Sequence, residues 1–259
     1  MIIDIGKTLK KKLYGEKPVF GPWVGIADQA VLEILARLAF DFLLVDAEHS
    51  AIDAKGLSAL LPATDLYRMP VIFRPTTMAV GEMKTALDSG VAGLMIPMVE
   101  TAEQAREIVS ICKYAPLGSR GVGPWRASGF YDGFDDYLRE ANAATALIVQ
   151  IESAKGLANA EEIAAVEGVD MLFVGPADLS SSLGLPIGGM SDRLVEAFSR
   201  VVRAAKAHGK RASIDLTSVD RLPVLRKLGF SLFTCGSDME FIKQSGQRLL
   251  MDLSAASGG

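Results

Sequence analysis

Residue types that often carry redox or metal chemistry are scarce in this chain of 259 residues, which has two cysteines and two histidines. Two cysteines in a chain of this length do not form a disulfide framework. Cys112 lies in a helical pattern and Cys235 in an apolar strand pattern, which favours buried, inert thiols. We therefore expect a cytoplasmic protein in a reducing compartment.

Excess positive charge is also missing, since the chain carries 27 Lys and Arg, 31 Asp and Glu, and a net charge of −4. A basic stripe, zinc-finger spacing and an aromatic RNA-binding motif are all absent, which argues against nucleic acid as a partner. The run Lys10 to Lys12 is interpreted as a solvated helix face. No apolar run reaches the roughly 18 residues of a membrane helix, and residues 1–18 lack the pattern of a signal peptide.

The chain does contain many short apolar runs separated by helical patterns, and 49% of its residues are hydrophobic. The runs are continuous rather than alternating, as in parallel strands covered on both faces. They predict a single (β/α)8 barrel, an α/β fold. An open doubly wound sheet would need a Gly-rich turn after the first strand, where this chain has GIADQ. The predicted strands are Val19–Ile26, Phe42–Asp46, Val71–Arg74, Gly93–Pro97, Ala146–Glu152, Met171–Gly175, Arg211–Asp215 and Ser231–Gly236.

Residues 1–259 are predicted to form one domain, with two segments outside the strand-and-helix rhythm. Residues 116–143 are rich in glycine and aromatic residues. Because a long loop in a compact domain is usually functional, we expect this segment to be an active-site loop over the mouth of the barrel. Residues 254–259 have no means of burial and are expected to be frayed.

Two carboxylates come at or just after the fifth and sixth predicted strands, Glu152 in VQIES and Asp178 in VGPADLS. The carboxyl ends of barrel strands meet at one face, where the active site is built. Hard oxygen ligands suit Mg²⁺ or Mn²⁺, so this pair predicts a metal site. The alternative is that each carboxylate pairs with a nearby Lys or Arg.

A histidine and an arginine also follow predicted strands. His49 is flanked by Asp46 and Glu48, and histidine is well matched to proton transfer near neutral pH. The alternative is a hydrogen-bonded structural role. A guanidinium in a barrel mouth needs an anionic partner, so Arg74 has either a substrate anion or the Asp46 and Glu48 carboxylates as partners.

The turn in VGPADLS places Gly175, Pro176 and Ala177 just before a predicted helix. Such a turn can offer backbone N–H groups to an anion. On this motif alone, an ordinary strand-to-helix turn is the favoured interpretation.

The motifs DAEHS, VIFRP, ALDSGVAGLMIPMVET, SRGVGPWRAS, VQIES and VGPADLSSSLG occur between Phe20 and Asp238. In order and spacing they resemble the metal-dependent (class II) pyruvate aldolases typified by hydroxy-oxo-heptanedioate aldolase. This family lies within the phosphoenolpyruvate/pyruvate barrel superfamily. The resemblance implies cleavage or formation of 4-hydroxy-2-oxo acids, giving pyruvate or a related 2-oxo acid and an aldehyde as small-molecule partners.

The resemblance also implies roles for individual residues. A divalent ion, Mg²⁺, Mn²⁺ or Co²⁺, would be held by Glu152 and Asp178. His49 would be the base, Asp88 would orient it, and Arg74 would stabilise the enolate, with Asp46 and Glu48 supporting these groups. The remaining contacts to the 2-oxo acid would come from Gln150, Gly175, Pro176, Ala177 and Asp178.

Two further expectations concern mechanism and assembly. No lysine ends an apolar strand, Lys155 and Lys210 being the nearest, which argues against a Schiff-base aldolase. By resemblance we expect a homo-oligomer, a hexamer, with the apolar C-terminal helix in MEFIKQSGQRLLMDL packed or exchanged onto a neighbouring subunit. The competing functions are an acyl-CoA lyase of the same superfamily and a non-catalytic barrel subunit.

Overall fold

The apolar runs form eight parallel strands that close into a barrel, each strand pairing with the next and β8 pairing with β1. The computed structural model describes residues 2–257. The predicted (β/α)8 barrel is confirmed, and the open sheet is excluded. The strands are β1 Val19–Val24, β2 Leu43–Asp46, β3 Val71–Arg74, β4 Gly93–Ile96, β5 Ala146–Ile151, β6 Met171–Val174, β7 Arg211–Asp215 and β8 Phe230–Ser237.

Helices surround the barrel, and none in residues 2–257 is long and apolar enough to cross a membrane. Several begin as the sequence predicts: Thr101 and Gln104 form a complete capping box. The helices are α1 Ile2–Leu13, α2 Gln29–Ala36, α3 Ala54–Asp65, α4 Val80–Ser89, α5 Ala102–Cys112, α6 Phe134–Ala144, α7 Ala154–Ala158, α8 Ala160–Ala164, α9 Pro176–Ser182, α10 Asp192–Ala207, α11 Leu222–Leu228 and α12 Asp238–Ala256, with a 3₁₀ turn at Val219–Arg221.

The strands bury both faces because successive side chains point in opposite directions. Along β2, Leu43 and Val45 belong to the core between strands and helices, whereas Leu44 belongs to the core inside the barrel. Leu9 and Leu13 of α1 join that interior core and are at most 1% exposed. Helix α1 therefore closes the end of the barrel at which the strands begin, and the reactive side chains collect at the other end.

The segment 116–143 does not cover the mouth, and that prediction is wrong. It follows α5 and precedes β5, so it connects a helix to a strand and lies where strands begin. The Arg126 side chain donates to the Ser89 carbonyl (2.6 Å) at the last turn of α4. The second half of the segment is helix α6, which packs against α1. The segment is thus part of the closed end of the barrel.

The C-terminal part of the chain is more ordered than expected. Helix α12 continues to Ala256, so Ser254 to Ala256 are helical rather than frayed, while Gly258 and Gly259 lie outside the described residues. Asp238 is the one buried residue of α12. The apolar side chains that α12 exposes are Met239, Ile242, Leu249, Leu250, Met251 and Leu253.

The run Lys10 to Lys12 is not simply a solvated face. Lys10 forms an ion pair with Asp170, and Lys12 forms one with Asp41 at 2.8 Å. These pairs fasten α1 to the end of the barrel that it closes.

Candidate functional site

Two carboxylates meet around one glycine at the carboxyl ends of β5 and β6. Glu152 is 4% exposed. Its Oε1 accepts from the Met98 backbone N–H (2.7 Å), and its Oε2 accepts from the Gln150 side-chain amide (2.8 Å). A Cβ on Gly175 would lie 2.7 Å from Glu152 Oε2 and 3.8 Å from Asp178 Oδ2. Glycine at position 175 is therefore what leaves room for the Glu152 carboxylate, with the Asp178 carboxylate nearby.

The carboxylates of the mouth raise one another's affinity for protons. Burial raises the pKa of Glu152 to about 7, and the negative charges of Glu48 and Asp178 add to the effect, although the Met98 N–H and Arg74 oppose it. Burial likewise raises the pKa of Glu48, and Asp46 and Asp178 raise it further, against Arg74 and His49. This concentration of negative charge favours a cation at the mouth.

Arg74 ends β3 and is held by two carboxylates and an aromatic ring. Its Nε and Nη2 donate to the two oxygens of Asp46 (2.7 and 2.8 Å). Its Nη1 lies 3.0 Å from Glu48 Oε2, and the guanidinium carbon lies 4.2 Å from the centre of the Trp23 ring. Of the two partners predicted for Arg74, the structure thus contains the Asp46 and Glu48 carboxylates. Because a guanidinium has five N–H groups, two remain for a substrate.

His49 lies in the turn after β2 and is open to solvent. Its side chain is 65% exposed, and its Nε2 lies 3.6 Å from Glu48 Oε2. That distance is beyond a hydrogen bond, so the imidazole is not locked into a structural role. It can reach a ligand in the mouth.

The turn that begins α9 is the most open part of the site. Gly175 is the N-cap and Pro176 the first residue of the helix. Pro176 is partly exposed, while Ala177 and Asp178 are exposed. A ligand can therefore approach this edge of the site from solvent.

Asp88 is placed elsewhere. It lies in the last turn of α4, which runs away from the mouth, and it accepts from Arg120 Nη2 at 2.6 Å. The Arg120 guanidinium lies 4.5 Å from the centre of the Tyr114 ring. Within one chain, the described residues therefore show Asp88 paired with Arg120 rather than with His49, contrary to the contact expected from the resemblance.

Three residues of the mouth were missed in the sequence. Trp23 Nε1 and Thr234 Oγ1 both donate to Asp215 Oδ1, at 2.8 and 2.6 Å. Burial raises the pKa of Asp215, while these two hydrogen bonds lower it. Asp215 is the last residue of β7, so the strand-end rule that selected Glu152 also applied to it. Trp23 could not be selected by this rule, because its role is to pack its ring face against the Arg74 guanidinium.

The residues of the mouth fit a divalent cation. No group of three or more His, Cys, Asp or Glu suited to a metal occurs in residues 2–257. However, Gln150 Oε1 is a buried oxygen without a hydrogen-bond partner, and a buried orphan acceptor calls for an explanation. This oxygen belongs to the side chain that donates to Glu152. Together with the Glu152 and Asp178 carboxylates it would supply oxygen ligands, which Mg²⁺ and Mn²⁺ prefer.

Neither Lys113 nor Lys155 supplies an alternative nucleophile at this mouth. Burial lowers the pKa of Lys113 to about 8, but its ammonium donates to the Asn142 and Thr145 carbonyls, both at 2.8 Å. Thr145 precedes β5, which places Lys113 at the closed end of the barrel. Lys155 is tied to Glu100 at 3.2 Å on the surface.

Fold and site together define an α/β barrel with an acidic mouth that contains one buried arginine. The sequence profile of the HpcH/HpaI aldolase/citrate lyase family matches residues 20–244, and the chain belongs to this family. The family-level resemblance seen in the motifs is confirmed.

Individual relatives extend this similarity over most of the chain. The hydroxypyruvate/pyruvate aldolase of Deinococcus radiodurans is 44% identical over 210 residues, covering 79% of this chain and 76% of that protein. The 2-keto-3-deoxy-L-rhamnonate aldolase of Escherichia coli is 34% identical over 256 residues, covering 98% and 96%. The solved structure of an HpcH/HpaI family protein from Burkholderia cenocepacia has a TM-score of 0.88 at 32% identity, covering 96% and 99%.

Proposed function

We propose that this protein is a divalent-metal-dependent, class II pyruvate aldolase that cleaves or forms 4-hydroxy-2-oxo acids. The observation that carries the proposal is the meeting of Glu152 and Asp178 around Gly175, beside the orphan oxygen of Gln150. Curated relatives named as aldolases support the reaction class. The acidic surroundings, with Lys113 and Lys155 both bound elsewhere, support a metal rather than a Schiff base.

Glu152 and Asp178 would hold the ion, Mg²⁺, Mn²⁺ or Co²⁺. When bound, it would draw electron density from the keto oxygen of the 2-oxo acid, as a Lewis acid does. Gly175, Pro176 and Ala177 leave space for the acid beside these carboxylates.

Arg74 would stabilise negative charge as it develops on the keto oxygen. Asp46 fixes the guanidinium with two hydrogen bonds, and Trp23 supports its face. Donors fixed in advance cost no reorganisation during the reaction, which is what makes electrostatic stabilisation effective. The two free N–H groups of Arg74 are the ones available for this purpose.

His49 would move the protons, directly or through a water. In the synthetic direction it takes a proton from the methyl carbon of pyruvate, and the resulting enolate carbon forms a bond to the aldehyde carbon as the C=O π bond opens. The aldehyde oxygen then takes the proton back from His49 and becomes the 4-hydroxyl. In the cleavage direction it takes the proton of the 4-hydroxyl. The bond between carbons 3 and 4 then breaks, the aldehyde leaves, and carbon 3 is protonated to give pyruvate.

The test separates the pyruvate half of the reaction from the aldehyde half. Chelator-treated protein is incubated with pyruvate in deuterated water, with and without Mn²⁺, and methyl exchange is followed by proton NMR. We expect exchange only with the ion present, and no inactivation by borohydride with pyruvate. Irreversible borohydride trapping would contradict the class II mechanism.

The family also contains citrate lyases, and an acyl-CoA lyase is the rival activity. A spectrophotometric assay with malyl-CoA and citramalyl-CoA addresses it. We expect no cleavage of either thioester under conditions in which hydroxylated 2-oxo acids release pyruvate. Thioester cleavage without pyruvate exchange would favour the rival.

A further inference from the structure

Met98 has a rare backbone conformation at the mouth of the barrel. It is the second residue after β4, and its φ is 54°. A φ in this left-handed region is uncommon for any residue other than glycine. Among residues 2–257 the other non-glycine residues with positive φ are Arg68, Phe130 and Tyr131, which lie in connections from a helix to the next strand. Met98 is thus the one that follows a strand, at the end of the barrel where the candidate site lies.

The backbone of Met98 donates to the carboxylate of Glu152. The Met98 N–H reaches Oε1 at 2.7 Å, and the Gln150 side-chain amide reaches Oε2 at 2.8 Å. Each oxygen therefore has one fixed donor, and the two donors together set the orientation of the carboxylate. Since a carboxylate oxygen has two lone pairs, each oxygen keeps one for a further partner.

Contacts just after Met98 keep this turn in place. The Val99 N–H donates to the Gln150 carbonyl at 3.2 Å. A Cβ on Gly156 would lie 2.8 Å from the Val99 carbonyl oxygen, so the turn packs closely on the segment that follows β5. Strained residues persist where their surroundings determine the conformation, and they cluster at ligand sites.

The side chain of Met98 has no matching role in packing. It is 46% exposed, and it belongs to none of the hydrophobic clusters formed by residues 2–257. Position 98 therefore contributes to the mouth through the direction of its N–H group.

We propose that Met98 is a positioning residue for the divalent cation, because its left-handed backbone fixes the Glu152 carboxylate in the orientation that holds the ion. A side chain that is already fixed has less rotamer freedom to lose on binding. Removing a group that orients a metal ligand typically lowers metal affinity by about 10- to 100-fold. This inference rests on the proposed metal-dependent function and adds a residue to its metal site.

Calorimetric titration of the chelator-treated protein with Mn²⁺, without substrate, tests the proposal. Met98→Val places a β-branched side chain where such residues are outliers, so the backbone should leave this conformation and its N–H should turn away from Glu152. We expect the Kd for Mn²⁺ to rise by about 10- to 100-fold. Met98→Gly removes the same side chain but takes a positive φ readily, so its Kd should stay closer to that of the parent than to that of Met98→Val.

Arg68→Val is the matched control for backbone strain. Arg68 also has a positive φ, 52°, and is exposed, but it precedes β3 at the other end of the barrel. Both valine variants should lower the denaturant midpoint of the metal-free protein, whereas only Met98→Val should weaken Mn²⁺ binding. The Kd of Arg68→Val should stay within about twofold of the parent value, since distant sites act independently.

The titration gives the fraction of competent protein as its stoichiometry, separately from the Kd, so a partly unfolded variant is still informative. A parent that binds no Mn²⁺ would contradict the proposed metal-dependent function itself. If the parent binds Mn²⁺ but the Kd is unchanged in Met98→Val, or rises equally in Arg68→Val, the inference about Met98 alone is overturned. An equal rise in Met98→Gly would also overturn it, because the side chain rather than the backbone would then support the site.

Discussion

At the scale of single residues, the geometry of Arg74 is more demanding than its charge. The side chain uses two of its nitrogens on Asp46 and one on Glu48, and its planar face lies over Trp23. An ammonium is a compact charge without that planar fork. A lysine at this position cannot make these contacts together.

We therefore expect Arg74→Lys to slow the exchange of pyruvate methyl protons by about 100-fold or more, the loss typical of removing one donor to an oxyanion. Proton NMR of the exchange measures this step without an aldehyde. Arg37→Lys is the matched control, because Arg37 also lies over a ring, Tyr67, and beside a carboxylate, Glu33, but on the surface. Equal losses in both variants would argue against a role for Arg74 in the reaction.

The raised pKa of Glu152 gives metal binding a pH dependence. A metal ligand must lose its proton, and the pKa of Glu152 is raised to about 7 in the free protein. Mn²⁺ affinity should therefore fall by up to about tenfold for each pH unit below 7 and level off above 7. Calorimetric titration between pH 5.5 and 8 measures this dependence.

The raised pKa of Glu152 also makes the stability of the metal-free protein depend on pH. A carboxyl group whose pKa is higher in the folded than in the unfolded state favours folding while it stays protonated, and this contribution is lost as the pH rises through about 7. Without metal, Glu152 thus makes the protein less stable at pH 8 than at pH 6, and Glu152→Gln should reduce that difference. A flat Mn²⁺ affinity across pH 7 would contradict the assignment of Glu152 as a ligand.

At the scale of elements, the strands and their ends could be predicted because apolar runs and strand-end polar residues repeat along the chain. Arg74, Glu152 and Asp178 were found in this way. The side-chain contacts at the closed end of the barrel could not be predicted. The Asp88–Arg120 ion pair, for example, joins residues far apart in the sequence that carry no shared pattern. The position of residues 116–143 was misjudged because a long loop was taken to imply the mouth, although a segment before a strand lies at the other end.

Asp88→Asn tests whether Asp88 stabilises the closed end of the barrel through Arg120 or acts on His49 at the mouth. Asp88 and Arg120 are 7% and 5% exposed, and removing one partner of a buried ion pair typically costs 3–5 kcal/mol. We expect a loss of unfolding free energy of about this size, measured with denaturant. The pH profile of pyruvate exchange should keep its shape, whereas a shifted profile would support the contact with His49 that the resemblance implies.

Helix α1 provides a second test at this scale. Leu9 is 0% exposed within the barrel interior core, and Leu→Ala in a core costs about 2–5 kcal/mol. Leu9→Ala should lower the unfolding free energy by this amount. Leu66→Ala, at a side chain 75% exposed, should change it by less than about 0.5 kcal/mol.

At the scale of the whole molecule, the exposed apolar side chains of α12 indicate a contact between subunits. Leu249, Leu250, Met251 and Leu253 are each more than half exposed, and contiguous exposed apolar surface marks interaction sites. We propose a homo-oligomer, a hexamer by resemblance, in which this helix packs on a neighbouring subunit. Light scattering should give a mass well above 27.6 kDa.

The double substitution Leu250→Glu and Leu253→Glu should reduce that mass, because charges are costly in an apolar contact. Leu66→Glu, at an exposed leucine outside α12, should leave the mass unchanged. A parent that scatters as a monomer at micromolar concentration would contradict the proposal.

The polar side chains of the mouth hold one another in place. Arg74 binds Asp46 and Glu48, and Gln150 binds Glu152. Asp215 is linked to the first group, because Trp23 donates to Asp215 and its ring lies against Arg74. In evolutionary terms, a codon change at one of these positions also removes support from its partners, so these positions are constrained to change together.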